Sequence, residues 1–239
     1  MIEAHLQKLR VRDSISKDEE HAILELVSQV IDVPQDRTII RHGEEINQSM
    51  LLLSGWLARA KDLPSGQRQL AELHIAGDFA DLHSFTLKRL EHDVISITRC
   101  RIALVPHERL RGMTERHPHL TRVYWMMTNL DAAIQREWTL SLGRRNALSR
   151  MAHLFCELDV RLGLIGLSQD NSFDFPLTQM ELAECLGLTP VHVNRTLQEL
   201  RRRGLLEFQN RRISIPDIDG LKAVAEFDPA YLYLDRQPR

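Results

Sequence analysis

The chain has 239 residues, of which 43% are hydrophobic and 27% are charged, so it can bury a sizeable core and fits two domains. Its net charge of −2 excludes neither an acidic nor a basic partner, because charge can be unevenly distributed along a chain. The longest aliphatic run, Met50–Leu53, is too short to span a membrane, and the N-terminus lacks the apolar segment of a secretory signal. Cys100, Cys156 and Cys185 are far apart and cannot all pair, which predicts a reducing, cytoplasmic location without membrane contact.

The first half of the chain changes from helical to strand-like patterning near residue 30. Apolar residues at helical spacing predict helices before that point, and Ser16 followed by Glu19 is a helix-capping signal. After it, short β-rich runs alternate with glycine-containing turns, which predicts a compact antiparallel barrel or roll. The predicted strands lie within Thr38–Arg41, Met50–Ala60, Arg68–Ile75 and Val94–Val105.

A long helix is predicted from Pro118 to Leu142, with Gly143 at its end. Apolar residues recur along it at steps of three and four, the spacing of a two-stranded coiled coil. The predicted dimer seam consists of Leu120, Val123, Met127, Leu130 and Ile134. The alternative is one amphipathic helix packed on its own domain, which has a similar periodicity. A second helix is predicted within residues 144–167, and a polar connection follows at Ser168–Asp174.

Residues 179–198 have the spacing of a helix-turn-helix. Two short helices that cross steeply need a small side chain at their contact, a positive-φ residue at the turn and an apolar plug. Three residues meet those needs in that order: Ala183, Gly187 and Val193. Thr178 with Glu181 predicts the start of the first helix, and Thr189 before Pro190 predicts the start of the second. The alternative is an ordinary helical hairpin.

Arginines concentrate directly after the second of these helices. Between Arg195 and Arg212 there are six arginines and two glutamates, although the whole chain carries a net charge of −2. Two strand-like runs, Leu205–Phe208 and Arg212–Ile215, flank a turn and predict a wing. Basic charge concentrated beside a helix-turn-helix is typical of proteins that bind the phosphate backbone of double-stranded DNA, which favours that function over a plain hairpin.

The order of a β-roll, a long helix and a winged helix-turn-helix resembles the Crp/Fnr family of bacterial transcription regulators. The resemblance covers nearly the whole chain. It is carried by residues 76–79 (AGDF), 92–106 (HDVISITRCRIALVP) and 177–206 (LTQMELAECLGLTPVHVNRTLQELRRRGLL), of which the last stretch is the most specific. It implies an α+β fold in three parts: a β-roll sensor domain with N-terminal helices over residues 1–117, a dimerisation helix over 118–143 and a winged helix-turn-helix domain over 144–239.

By this resemblance the protein would bind a palindromic DNA site as a homodimer, with two recognition helices in major grooves about 34 Å apart. RNA polymerase would be a further partner, and activity would be either controlled by a small effector in the roll or constitutive. The base-reading candidates are Pro190, Val191, His192, Asn194 and Arg195. Arg195 matches the family's recognition arginine, whereas Val191 stands where the family often has glutamate, so a different preferred site is predicted.

The candidate phosphate contacts are Thr178, Thr189, Arg201, Arg202, Arg203 and Arg211. Arginine side chains in this position would supply affinity without sequence information. The alternative is that these arginines form a solvated basic face.

The effector is less well indicated than the DNA partner. Cyclic-nucleotide members of the family carry a Gly-Glu pair and an Arg-Ser/Thr pair, and neither is present after Gly77 or around Glu91, so cyclic AMP is not predicted. An iron–sulfur cluster is not predicted either, because the chain has no cysteine before Cys100. Cys100 could be a redox sensor or a buried, unreactive thiol.

The candidate effector pocket consists of Asp81, His83, Ser84, His92 and Asp93. Haem stays open, because His74, His83 or His92 could supply an axial ligand, although a lone histidine is usually structural. His117 and His119 lack a third ligand nearby, so no metal site is predicted.

Two other classes of function compete with a DNA-binding regulator. A ligand-binding module that acts through protein partners would have the same roll, but the arginine-rich wing argues against it. An enzyme would need a catalytic constellation. Asp81, His83 and Ser84 are the residue types of a hydrolase, but their close spacing matches no triad order, so no enzyme is predicted.

Overall fold

Strands between Gln29 and Pro106 form the predicted β-roll. In the computed structural model, which describes residues 2–239, this region has two antiparallel sheets, of strand order β1-β7-β3 and β2-β6-β4-β5. The strands are β1 (Gln29–Val33), β2 (Arg37–Ile40), β3 (Gln48–Ser54), β4 (Leu57–Asp62), β5 (Arg68–His74), β6 (Asp93–Ser96) and β7 (Cys100–Pro106). Two predicted strands each divide into two, and β1, which lies at the change of patterning near residue 30, is not among the predicted strands.

Gly55 explains why the predicted strand Met50–Ala60 divides. Its φ is +92°, a conformation that L side chains rarely adopt. A Cβ atom at this position would lie 2.5 Å from the carbonyl oxygen of Arg99. The chain therefore turns sharply between β3 and β4.

Helices flank the roll and build the C-terminal half of the chain. They are α1 (Glu3–Arg12), α2 (Lys17–Glu25), α3 (Ser84–Leu87), α4 (His107–Arg116), α5 (Pro118–Arg144), α6 (Ala147–Gly163), α7 (Gln179–Leu186), α8 (Pro190–Arg202) and α9 (Ile218–Ala225). The capping box of Ser16 and Glu19 is present at the start of α2, because local hydrogen bonds decide such a start. Helix α5 passes through Gly143 and ends at Arg144. None of the helices within residues 2–239 is long and apolar enough to cross a membrane.

Three of the five residues of the predicted dimer seam of α5 are buried inside the single chain. Leu120 and Val123 are fully buried within the chain's own core, and Ile134 is 6% exposed. Met127 and Leu130 are half-buried against the same cores. The apolar stripe therefore packs on its own subunit, which was the alternative interpretation of the periodicity.

The polar stretch Ser168–Asp174 is not a connection but a hairpin. It forms β8 (Ser168–Gln169) and β9 (Ser172–Asp174), which join β10 (Glu207–Gln209) and β11 (Arg212–Ser214) in the order β10-β11-β9-β8. The prediction missed it because polar residues dominate the stretch, whereas the single apolar residue, Phe173, is fully buried.

The C-terminal domain, from α6 to the 3₁₀ turn Pro229–Leu232, shares a hydrophobic core with the roll. Trp56 of the roll packs edge-on against Phe175, with ring centroids 6.0 Å apart, and Phe175 packs against Phe155 of α6 at 5.2 Å. The chain after Asp217 is also held in place, because Tyr231 Oη donates to Glu157 Oε2 at 2.8 Å.

Candidate nucleic-acid interface

The helix-turn-helix forms where the sequence predicts it. Thr178 Oγ1 accepts from the backbone N–H of Glu181 at 3.2 Å and starts α7, and Thr189 Oγ1 accepts from that of His192 at 3.3 Å and starts α8. Gly187 ends α7 with φ at +59°. Ala183 and Val193 are buried at the contact between the two helices.

Arg150 and Gln69 fix this unit against the rest of the chain. Arg150 of α6 donates to the backbone oxygens of Ser141 and Leu142 at 3.0 and 3.1 Å, and also to that of Leu186 at the end of α7. Gln69 of β5 donates to the backbone oxygen of Cys185 at 3.1 Å. These contacts satisfy terminal carbonyl groups of α5 and α7 and leave α8 facing outward.

The exposed face of α8 contains three of the five predicted base-reading residues. Val191 is 64% exposed, and His192 and Arg195 are exposed as well. Pro190 and Asn194 are half-buried. Gln198, exposed one turn beyond Arg195, lies on the same face and was missed, although its spacing of three from Arg195 indicates that position.

The residues predicted to contact phosphates differ in whether their donor groups already have a partner. Thr178 is exposed, but its Oγ1 already donates to Glu181 Oε2 at 2.8 Å, so a carboxylate lies beside it. Thr189 is exposed and keeps its O–H for a ligand. Arg201 and Arg211 are exposed and form no ion pair with any residue in 2–239.

Arg202 and Arg203 are tied to one carboxylate. Each guanidinium lies 2.7 Å from Glu199 Oε1, and these hydrogen bonds lower the pKa of Glu199 to about 2. Both arginines are exposed, so a phosphate can replace the carboxylate as their partner.

The predicted effector residues do not line one cavity. Asp81 and Ser84 are fully buried, and Asp81 Oδ1 accepts from the backbone N–H of Met50 at 2.6 Å. Ser84 Oγ lies 3.1 Å from Nε2 of His107. The histidine next to this serine is therefore His107 and not His83. A hydrolase would need this serine accessible to substrate, and it is buried.

The other three predicted effector residues lie elsewhere. His83 and His92 face each other with ring centroids 5.4 Å apart. Asp93 Oδ1 accepts from the backbone N–H of His42 at 2.7 Å. Nearness in sequence grouped these residues, but a short helix and a strand direct their side chains to different surroundings.

A small cavity lies between the roll and α5, and His83 is on its wall. Its polar lining centres on Arg59, whose Nη1 atom lies 2.7 Å from Glu72 Oε2 and 2.8 Å from Asp131 Oδ2. The cavity measures about 50 Å³, which is room for a few water molecules. Sites for drug-sized ligands measure roughly 300–1,000 Å³. The cavity is smaller than such a site.

The histidines near this cavity are neutral. Burial lowers the pKa of His74 well below its usual value and that of His83 to about 4. A neutral imidazole is a possible axial ligand, although the cavity of about 50 Å³ is much smaller than a porphyrin. Within residues 2–239, no group of three or more histidine, cysteine, aspartate or glutamate side chains is placed to hold a metal ion.

The three thiols are expected to be unreactive in the folded protein. Cys100, Cys156 and Cys185 are buried, and burial raises the pKa of each. Because the thiolate is the nucleophile, an alkylating reagent at neutral pH should label none of them until the protein unfolds. Mass spectrometry of native and denatured samples checks this. Rapid labelling of Cys100 in the native protein would restore the redox-sensor hypothesis.

Comparison with known proteins agrees with this architecture. The family model of the Crp-like helix-turn-helix domain matches residues 149–224, and that of the cyclic nucleotide-binding domain matches residues 30–117. A probable transcriptional activator from Rhizobium leguminosarum bv. viciae is 32% identical over 187 residues, which cover 77% of this chain and 76% of that protein. The chain belongs to the Crp/Fnr family of transcription regulators.

Other Crp/Fnr proteins are similar over most of their length. The transcriptional activator protein FnrL of Cereibacter sphaeroides is 29% identical over 81% of this chain and 79% of its own. The structure of FixK2 from Bradyrhizobium japonicum superposes with a TM-score of 0.76 at 24% identity, covering 83% of this chain and 98% of that one. The chain therefore has the Crp/Fnr fold.

Proposed function

We propose that this Crp/Fnr protein is a transcription regulator that binds a palindromic operator as a homodimer. The observation that carries the proposal is the exposed face of α8, with Val191 and Arg195 outward and arginines on both the helix end and the wing. Arg195 can donate two hydrogen bonds to the edge of a guanine, and Val191 can contact a thymine methyl group. Arg201 and Arg211 are free to bind phosphates.

The outward face of α5 is the proposed dimer interface. This face is offset from the apolar stripe. Its exposed residues are spaced by three, four and seven positions, which keeps them on one side of the helix: Arg122, Trp125, Asn129 and Arg136. Trp125 is 67% exposed, which is unusual for a tryptophan. A second α5 packed along this face would cover Trp125 and place the two α8 helices on the same side of the dimer.

Activation is the favoured mode of regulation, because similar proteins from Rhizobium leguminosarum and Cereibacter sphaeroides are named activators. An activator acts on RNA polymerase at the promoter, which makes the polymerase a partner and the cytoplasm the place of action. Arg59 and its two carboxylates already satisfy one another in the roll cavity. We therefore propose that DNA binding needs no cyclic nucleotide.

Selection from a random duplex pool by the purified protein, without added effector and at near-physiological salt, tests this function. A recovered palindrome with two half-sites about one helical turn apart is the expected result. Binding that is weak, salt-sensitive and blind to sequence would instead indicate a missing effector. Absence of DNA binding even at low salt would contradict the proposed function and favour a module that acts through protein partners.

A further inference from the structure

The N-terminal helix α1 buries a polar stripe. His5, Lys8 and Arg12 follow steps of three and four, so they share one face of the helix, and they are 0%, 6% and 4% exposed. Buried charges are costly unless they are paired, so the partners of this stripe must be fixed in place. Those partners belong to three different parts of the molecule.

His5 connects α1 to the roll and to α5. Its Nδ1 atom donates to the backbone oxygen of Gly77 at 2.9 Å, and its Nε2 atom lies 3.3 Å from Tyr124 Oη. Burial lowers the pKa of His5 to about 4, so the ring is neutral and Nε2 accepts from the tyrosine. The approach is close: a Cβ atom at Gly77 would lie 2.7 Å from the carbonyl carbon of Ala4.

Lys8 connects α1 to the C-terminal domain through Asp78. Lys8 Nζ lies 2.6 Å from Asp78 Oδ1, and Arg161 Nη2 of α6 lies 3.1 Å from Asp78 Oδ2. Arg161 also donates to the backbone oxygen of Leu73 at 2.8 Å and to Glu157 Oε1 at 2.9 Å. The carboxylate of Asp78, in the roll, therefore joins α1 to α6, the helix against which the helix-turn-helix packs.

Arg12 connects α1 to the end of the chain. Its Nε and Nη2 atoms donate to the backbone oxygen of Leu232 at 3.2 and 3.0 Å. The tail, residues 233–239, also donates to the end of α1. The backbone N–H of Gln237 donates to the backbone oxygen of Arg12 at 3.0 Å, and Arg236 donates to Ser14 Oγ at 2.9 Å. The last residues of the DNA-binding half thus lie on the first helix of the sensor half.

We propose that the stripe of His5, Lys8 and Arg12 positions the C-terminal domain against α5 and so sets the half-site spacing that the dimer recognises. The inference rests on the proposed function, because spacing has meaning only for a dimer on a palindrome. Helix α8 packs on α6, so a small rotation at α6 changes the separation of the two recognition helices. The stripe holds α6 near its C-terminal end through Asp78 and Arg161, and holds the tail through Leu232.

The test measures affinity for a series of duplexes in which the selected half-sites are separated by different numbers of base pairs, together with a single half-site. R12Q removes the donors to Leu232, and a truncation that ends at Leu234 removes the tail contacts to Arg12 and Ser14. Both are expected to lower affinity for the best palindrome by roughly tenfold and to flatten the spacing preference, with half-site affinity unchanged. R12K, which keeps a cation, should restore part of the preference.

R10Q is the matched control, because Arg10 lies on the same helix but pairs at the surface with Glu3 and Glu20. Its spacing profile should equal that of the wild-type protein. If wild type selects no palindrome, the proposed function is wrong; if wild type shows a spacing preference that both R12Q and the truncated chain retain, only this inference is wrong. The truncation removes the exposed residues 235–238 and the half-buried Arg239, which donates to the backbone oxygen of Arg12 and lies outside the hydrophobic cores, so it decides the question even if R12Q does not fold.

Discussion

R195A is expected to remove sequence-specific DNA binding while leaving the dimer and the fold intact. Arg195 is exposed on α8 and buries no core surface, so its loss should not affect stability. A bidentate arginine–guanine contact contributes about 1–3 kcal/mol of discrimination, and a palindrome contains two of them. Affinity for the selected operator should therefore fall by at least roughly 30-fold, whereas affinity for a scrambled duplex should change little. Equilibrium titration of both duplexes measures the two effects separately.

R211A is the control for this substitution. Arg211 is exposed at the tip of the wing with φ at +59°, and its proposed contact is a phosphate. Removing it from both subunits should weaken binding to the operator and to scrambled DNA alike, and should reduce the dependence of affinity on salt by about two ions. If R195A behaved like R211A, with the ratio of specific to non-specific affinity unchanged, α8 would not be the base-reading helix.

The parts of the fold that local interactions decide could be predicted from the sequence. The capping pairs Ser16 with Glu19 and Thr178 with Glu181, and the start of α8 at Pro190, form as predicted. Each depends on hydrogen bonds or backbone preferences within about one helical turn, which adjacent residues determine. The same locality explains why the helix-turn-helix was predictable in detail.

The seam of α5 shows what periodicity leaves open. The apolar stripe through Val123 and Ile134 indicated which face is buried, but not whether a partner subunit or the chain's own roll covers it. The chain's own roll covers the apolar stripe. The outward face around Trp125 is less apolar, so periodicity alone does not indicate it as an interface. Distinguishing the two faces requires the tertiary packing.

Long-range polar contacts were the least predictable. Lys8 in α1 and Asp78 in the roll are 70 residues apart and form a buried ion pair. Lysine and arginine in an N-terminal helix are usually solvated, so nothing in the local pattern indicated that Lys8 and Arg12 are buried. The predicted effector residues are separated for the opposite reason. Asp81 and Asp93 are close in sequence, but their carboxylates accept hydrogen bonds from different parts of the roll.

W125E is expected to convert the dimer to a folded monomer. Trp125 is 67% exposed in the single chain, so the substitution leaves the subunit core intact. A buried interface tryptophan typically contributes about 2 kcal/mol or more, and a two-fold interface contains it twice, so the dimer dissociation constant should rise by roughly a thousandfold. Sedimentation over a range of concentrations measures this. L87E is the control, because Leu87 is an exposed apolar residue on the roll at 59% exposure, and it should remain dimeric.

I134E distinguishes the two registers of α5. Ile134 is 6% exposed within its own subunit, so a carboxylate there would be buried without a partner and should lower the melting temperature sharply. Circular dichroism melts of both variants, followed by sedimentation, separate unfolding from dissociation. If W125E stayed dimeric and I134E formed a stable monomer, the dimer would form through the apolar stripe of α5. If W125E formed a folded monomer and I134E lost stability, the apolar stripe would be the face that packs on the roll and not on a second subunit.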